Sequence, residues 1–292
     1  MEPVSTIADR PTFTVPIAHG RSLALGERTL VMGVLNVTPD SFAGSVMDAA
    51  AAADLALQME ADGADLIDIG GESTRPGAGE VSEADELARI LPVLERLQGR
   101  LTIPVSVDTY KAGVARAAIA AGAGIVNDIS GLGYDPELGD AVAAAGAGLV
   151  LMHTRGRSRD MYREATYADV VAEVAAELDQ ALTRALAAGV ARERIVLDPG
   201  LGFAKQAGHS YAVLAGLPRL QALGRPLLVG PSRKSFLAAA IGSLRPADRD
   251  WATASAVTAA VLLGVHIVRV HAVAPMVQAV RVADAIRQGS RA

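Results

Sequence analysis

Residues 104–129 read PVSVDTYKAGVARAAIAAGAGIVNDI, and their punctuation decides the fold. Pro104–Val107 is a short aliphatic run that stops at Asp108. A helical stretch, Tyr110–Ala121, follows, and Gly122 stands where a helix ends in a left-handed residue. Gly124–Ile129 is a second aliphatic run whose end carries Asn127 and Asp128. Strand, helix and strand in this order form a parallel crossover unit, and aliphatic residues on both faces of each strand bury the sheet. The same pattern recurs along the chain. Aliphatic runs at Leu30–Leu35, Asp65–Ile69, Gly148–Met152, Arg194–Leu197, Pro226–Val229 and His266–Val270 bring the total to eight. Helical segments lie between them, as in Asp169–Ala188, where Val170, Val174, Leu178 and Leu182 recur at four-residue steps. Gly63, Gly146, Gly189, Gly224 and Gly264 each precede the next strand, as Gly122 does. Eight such repeats predict an α/β chain folded as a (β/α)8 TIM barrel rather than an open doubly wound sheet.

Residues Thr12–Thr29 alternate around Gly20 and predict a short β-hairpin closing the bottom of the barrel. With no linker or charge block in the chain, residues 1–29 form an N-terminal extension and hairpin, and residues 30–292 a single barrel domain.

Composition narrows the function. The absence of cysteine excludes disulfides, thiolate nucleophiles and cysteine-ligated metals. A formal charge of −5 argues against a nucleic-acid binder. Arg155, Arg157 and Arg159 do not reverse that reading, because no aromatic residues are interleaved for base stacking. The opening MEPVSTIADRP lacks a basic region followed by an apolar stretch, and Ala256–Val270 is too short to span a bilayer. A cytoplasmic protein with neither nucleic-acid nor membrane partners is expected.

The chemistry is written at the strand ends. The aliphatic runs stop at Asn36, Asp68, Asp108, Asn127 with Asp128, His153, Asp198, Ser232 with Arg233 and Lys234, and Arg269 with His271. In a parallel barrel these positions converge on the C-terminal rim, where active sites are built. Any one of them could cap the following helix. Asp108, ahead of Tyr110–Ala121, is the most credible cap, and Asp198, ahead of Pro199-Gly200, the least. Eight in register describe a ligand with ring donors on one side and anionic oxygens on the other. Arg269 and His271 share one face of the last strand, and an arginine fork suits phosphate.

Longer motifs sharpen this. Asn36-Val37-Thr38-Pro39-Asp40-Ser41-Phe42, Gly70-Gly71-Glu72-Ser73-Thr74-Arg75-Pro76-Gly77, Ser106-Val107-Asp108-Thr109 and Asn127-Asp128-Ile129 occur in order. Leu151-Met152-His153, Leu197-Asp198-Pro199-Gly200, Ser232-Arg233-Lys234-Ser235 and Arg269-Val270-His271 follow. Together they resemble the dihydropteroate synthases over nearly the whole chain.

The resemblance implies a transferase of folate biosynthesis. It joins 6-hydroxymethyl-7,8-dihydropterin pyrophosphate to p-aminobenzoate, giving 7,8-dihydropteroate and pyrophosphate, with Mg²⁺. It implies that Asp108, Asn127 and Asp198 accept hydrogen bonds from the pterin edge, with Lys234 beside the ring and Met152 and Phe203 as apolar walls. Arg269 and His271 would take the pyrophosphate, and Asn36 would ligate the metal. The catalytic set is therefore Asp108, Lys234, Arg269 and His271. Phe42, Thr74, Arg75, Pro76, Phe203, Lys234 and Ser235 would form the p-aminobenzoate pocket, with Ser235 opening the helix after the seventh barrel strand. Sulfonamides would compete in that pocket, and a homodimer is implied.

Three places depart from the family pattern. After Phe42 the usual Ser-Asp-Gly-Gly is replaced by Ala43-Gly44-Ser45-Val46-Met47-Asp48, which reads as a shortened lid. Thr154-Arg155-Gly156 replaces Met-Gln-Gly, and Ala272 follows His271 where Asp or Asn is common. The competing readings are a pterin-binding paralogue with a degenerate lid and a pterin-dependent methyltransferase barrel. The second has no use for Thr74-Arg75-Pro76 with Ser235 and a phosphate pair.

Overall fold

The computed structural model describes residues 7–38, 48–74, 77–157, 159–163 and 165–290. Strands β1 (Phe13–Pro16) and β2 (Ser22–Leu25) form the expected antiparallel hairpin, with Phe13 opposite Leu25 and Pro16 opposite Ser22. All eight aliphatic runs become parallel strands: β3 (Leu30–Asn36), β4 (Leu66–Gly70), β5 (Val105–Asp108), β6 (Ile125–Asp128), β7 (Gly148–Met152), β8 (Ile195–Asp198), β9 (Leu228–Val229) and β10 (Ile267–Val270). Their spatial order is β8-β7-β6-β5-β4-β3-β10-β9, and a parallel bridge between Leu197 and Leu227 closes the ring.

Ten helices are described: α1 (Ala49–Ala61), α2 (Glu83–Leu97), α3 (Ala112–Ala120), α4 (Leu138–Ala145), α5 (Val170–Ala187), α6 (Ala207–Ala215), α7 (Leu217–Leu220), α8 (Ala238–Ile241), α9 (Asp250–Leu262) and α10 (Val273–Gly289). Gly63, Gly122, Gly146, Gly189, Gly224 and Gly264 all take the positive φ expected of them. Asp48, beside the shortened lid, caps α1 by accepting from the Ala50 N–H at 3.4 Å. Among the described residues no helix is long and apolar enough to cross a membrane.

Two apolar layers hold the molecule together. Outward-facing strand residues such as Val31, Ile69, Val107 and Leu197 pack against Val114, Leu178 and Val257 of the helices. Inside the barrel, Leu30, Met32, Leu66, Ile125, Val150, Val196, Leu228 and Ile267 meet Val15, Ile17, Leu23 and Leu25 of the hairpin. The hairpin therefore fills the barrel floor, and the interior is free to turn polar only toward the opposite rim.

Strand register sets that transition. Side chains alternate with a two-residue period, so Asp68 and Gly70 face inward with Leu66, and Arg269 and His271 with Ile267. Asn36, Gly70, Asp108 and Asn127 are neighbours across β3 to β6 and form one level. Val34, Asp68 and Ser106 form the level beneath it.

Candidate active site

Arg269 organises the centre of the rim. Its Nε donates to Asp68 Oδ2 at 2.6 Å and its Nη2 to Asp108 Oδ2 at 2.7 Å. The same Asp68 oxygen accepts from Asn127 Nδ2 at 2.9 Å. Burial raises Asp108 to about 7, against the opposing attraction of Arg269 and with the repulsion of Asp68. Asp108 does not cap a helix. The first turn of α3 is capped from outside, by Asp135 Oδ2 accepting from the Ala112 N–H at 2.7 Å.

Asn36 shares the Asp108 level. A Cβ placed on Gly70 would lie 3.7 Å from Asn36 Oδ1, 3.4 Å from Asp108 Cβ and 3.7 Å from Asp108 Oδ2. Only glycine leaves the gap between those two side chains open.

The opposite wall is built on the turn after β8. Asp198 Oδ1 accepts from the Gly200 N–H at 2.7 Å, which fixes the carboxylate against the turn. Burial raises the Asp198 carboxyl, with Lys234 opposing the shift. Gly200 has a φ of +68°, and a Cβ there would lie 2.0 Å from the His153 carbonyl oxygen, so no other residue fits this turn. Lys234 donates to the Leu201 carbonyl and sits 4.0 Å from the centroid of the Phe203 ring. Burial pushes its ammonium down to about 7, although Asp198 pulls the other way.

The loop after β9 presents Ser232, Lys234 and Ser235. Arg233 holds it with a φ of +60° and a two-point pair to Asp250, both bonds 2.8 Å, so Arg233 points away from the rim's interior. Ser232 Oγ accepts the His271 main-chain N–H at 3.2 Å and shares a hydrogen bond with His271 Nδ1 at 2.9 Å. Ser235 is exposed and opens a 3₁₀ turn, Ser235–Leu237, that runs into the single-turn α8. The full helix expected there is shorter because Gly242 ends it after one turn.

These motifs and this geometry match known proteins. The family model described as pterin binding enzyme matches residues 32–271. A dihydropteroate synthase from Synechocystis is 44% identical, covering 94% of this chain and 96% of that protein. The chain belongs to the dihydropteroate synthase family. It is a transferase of folate biosynthesis, as the sequence motifs implied. The Yersinia pestis dihydropteroate synthase, solved with a sulfonamide drug, superposes with a TM-score of 0.88 at 40% identity, covering 93% of this chain and 98% of that one. The Xanthomonas albilineans dihydropteroate synthase, solved with 4-aminobenzoic acid, gives 0.86 at 42% identity, covering 94% and 99%.

The synthase fold brings Asn36, Asp108, Asn127, Met152, Asp198, Phe203, Lys234, Arg269 and His271 to one end of the barrel, and Thr74 is half-buried at the β4 loop. Phe42, Arg75 and Pro76 lie outside the described residues, as does most of the shortened lid. Two rim residues prove structural. Asp128 faces outward and ties its own loop through Ser130 N at 2.8 Å and Leu132 N at 2.5 Å. His153 is buried between Glu177, 2.9 Å from Nε2, and Lys205, 2.7 Å from Nδ1.

Sequence reasoning assigned no role to Asp68 or Lys205. The inward parity that singled out Arg269 and His271 also marks Asp68. Lys205 carries no such signal, because it sits in a loop. On the loop after β7, Arg157 and Arg159 are exposed, as a solvated loop requires, while Arg155 pairs with Glu173 and Glu177 and Arg157 with Glu80.

Proposed function

We propose that the rim divides the condensation between a pterin end and an anion end. Asp108, Asn127, Asp198 and Lys234 bind the ring edge of 6-hydroxymethyl-7,8-dihydropterin pyrophosphate, between Met152 and Phe203. Arg269 and His271 neutralise the pyrophosphate. The carbon–oxygen bond to pyrophosphate breaks first, leaving a pterin cation, and the p-aminobenzoate amine then bonds to the methylene carbon and sheds one proton. No side chain of this set is needed as a nucleophile; its contribution is placement and charge. Thr74, Phe203, Lys234 and Ser235, with Phe42, Arg75 and Pro76, line the p-aminobenzoate pocket, where sulfonamides compete. The observation that carries this reading is the Asp68–Arg269–Asp108 arrangement, a half-buried cation shared by two buried carboxylates at the mouth of a barrel whose other rim groups include Asp198 and Lys234.

The donor chemistry suits Mg²⁺. Asn36 Oδ1 and Asp108 Oδ2 flank Gly70, and a hard cation held mainly by substrate phosphates needs few protein oxygens. Asn36 would hold it. When bound, the ion would offset charge on the leaving pyrophosphate. A highly charged pyrophosphate ester does not cross membranes unaided, which supports a cytoplasmic enzyme. The hairpin and barrel act as one folding unit, since the hairpin fills the barrel floor. A homodimer fits the apolar exposure in segment 241–251, where Ile241 and Leu244 are exposed and Trp251 is 88% exposed; sedimentation as a monomer would contradict it.

Calorimetry with the pyrophosphate ester and the free alcohol tests the division. His271→Ala is expected to weaken the ester about tenfold and leave the alcohol within about twofold, because only the ester carries the anion. Asp198→Asn is expected to weaken both about tenfold, through a mispaired buried group. Equal losses for ester and alcohol in His271→Ala would overturn the assignment.

A further inference from the structure

Asp68 lies one level beneath the rim, on β4, with no exposed surface. It cannot touch a ligand seated on that rim. Its Oδ2 accepts both hydrogen bonds described above, from Asn127 Nδ2 and Arg269 Nε. Its Oδ1, also buried, meets no hydrogen-bonding group among the described residues. A buried carboxylate is costly unless donors surround it, and here one oxygen has two donors and the other has none. An apolar residue like Leu66 below it would fill this layer without that cost. The carboxylate therefore serves the groups it holds.

We propose that Asp68 is a positioning residue for the pterin, fixing the Asn127 carboxamide with its oxygen toward the pocket and anchoring Arg269 beside it. Asp68 Oδ2 accepts from Asn127 Nδ2 at 2.9 Å, so the carboxamide turns its nitrogen to Asp68. Its oxygen is then the atom left for the rim. A pterin edge presents N–H and NH2 donors and needs acceptors opposite them. Left alone, an asparagine amide can face either way. Asp68 converts it into a dedicated acceptor. The same oxygen holds Arg269 Nε while Asp108 holds Nη2, so the guanidinium is gripped along one edge by two different strands. The inference rests on the reading of Asn127 as a pterin ligand.

The test is a double-mutant cycle on affinity for the pterin alcohol, read by calorimetry. Asp68→Ala and Asn127→Ala are each expected to weaken binding about tenfold. In the Asn127→Ala background, Asp68→Ala is expected to add less than about twofold, because its effect passes through the amide already removed. Asp68→Asn, whose amide oxygen can still accept from Asn127, is expected to stay within about threefold of wild type. If Asp68→Ala does not fold, Asp68→Leu keeps the volume without the acceptor and takes its place in the cycle. Losses that multiply to about a hundredfold in the double variant, or Asp68→Asn as damaging as Asp68→Ala, would overturn the inference alone. Wild-type affinity in Asn127→Ala would overturn the reading of Asn127 and the inference with it.

Discussion

Asp108 is pulled in two directions, and its protonation registers the outcome. Burial favours the neutral acid, Arg269 favours the carboxylate, and the acid prevails up to a pH of about 7. In the unfolded chain the same group ionises near 4. Between these values the folded state binds the extra proton, so this contribution to stability is full below about 4 and is lost as pH rises through about 7. Asp108→Asn removes it. The unfolding free energy of Asp108→Asn relative to wild type is expected to rise by up to roughly 1.4 kcal/mol per pH unit across that window. Denaturant titrations at intervals between those limits check this, and a difference independent of pH would contradict it. Lys234 tells the matching story from the other side, with burial pushing an amine down to about 7 beside Asp198. Burial moves both groups away from their ordinary ionisation ranges, as is common where side chains converge on a functional site.

At the scale of elements, the strands were legible because each is a continuous aliphatic run, whereas the loops that shape the rim were not. The shortest strand shows the limit. Pro226–Val229 reads as a full strand, but β9 is only Leu228–Val229, because His266 Nδ1 accepts the Leu227 N–H at 3.1 Å in place of a ladder carbonyl. Nothing in the local pattern announces that substitution. The turn after β8 is a second case. Lys205, 1% exposed, donates to His153 Nδ1 at 2.7 Å and to the Gly200 and Phe203 carbonyls at 3.1 and 3.0 Å. Burial pushes this amine well below its usual range and pushes His153 down to about 4. The lysine thus ties together the segment that carries Asp198, Gly200 and Phe203. Lys205→Met keeps much of the volume but leaves His153 Nδ1 and the Phe203 carbonyl without this donor, while the Gly200 carbonyl keeps the Phe203 N–H at 3.0 Å, so unfolding free energy is expected to fall by about 2 kcal/mol. Denaturant unfolding measures it, and unchanged stability would mean the turn holds without the lysine.

The whole molecule separates stability from chemistry along the barrel axis. One end is sealed by Val15, Ile17, Leu23 and Leu25 of the hairpin. The other collects the groups that read as a pterin and pyrophosphate site. The hairpin and the eight-strand barrel were visible in the sequence, because hydrophobic periodicity survives without coordinates, and strand-end polarity marked which residues gather at the rim. The partnership of Arg269 with Asp68 and Asp108 was not, since it joins β10 to β4 and β5 across the barrel interior. Sequence alternation assigned Arg269 to the phosphate alone, and geometry shows that it also belongs to the carboxylate cluster. The central claim is that this rim couples pterin ester cleavage to p-aminobenzoate capture. The most direct test is simultaneous quantification of 7,8-dihydropteroate and pyrophosphate from the wild-type enzyme supplied with both substrates and Mg²⁺. The account predicts that the two products appear together in a one-to-one ratio. Pyrophosphate released without matching dihydropteroate, or neither product formed, would contradict it.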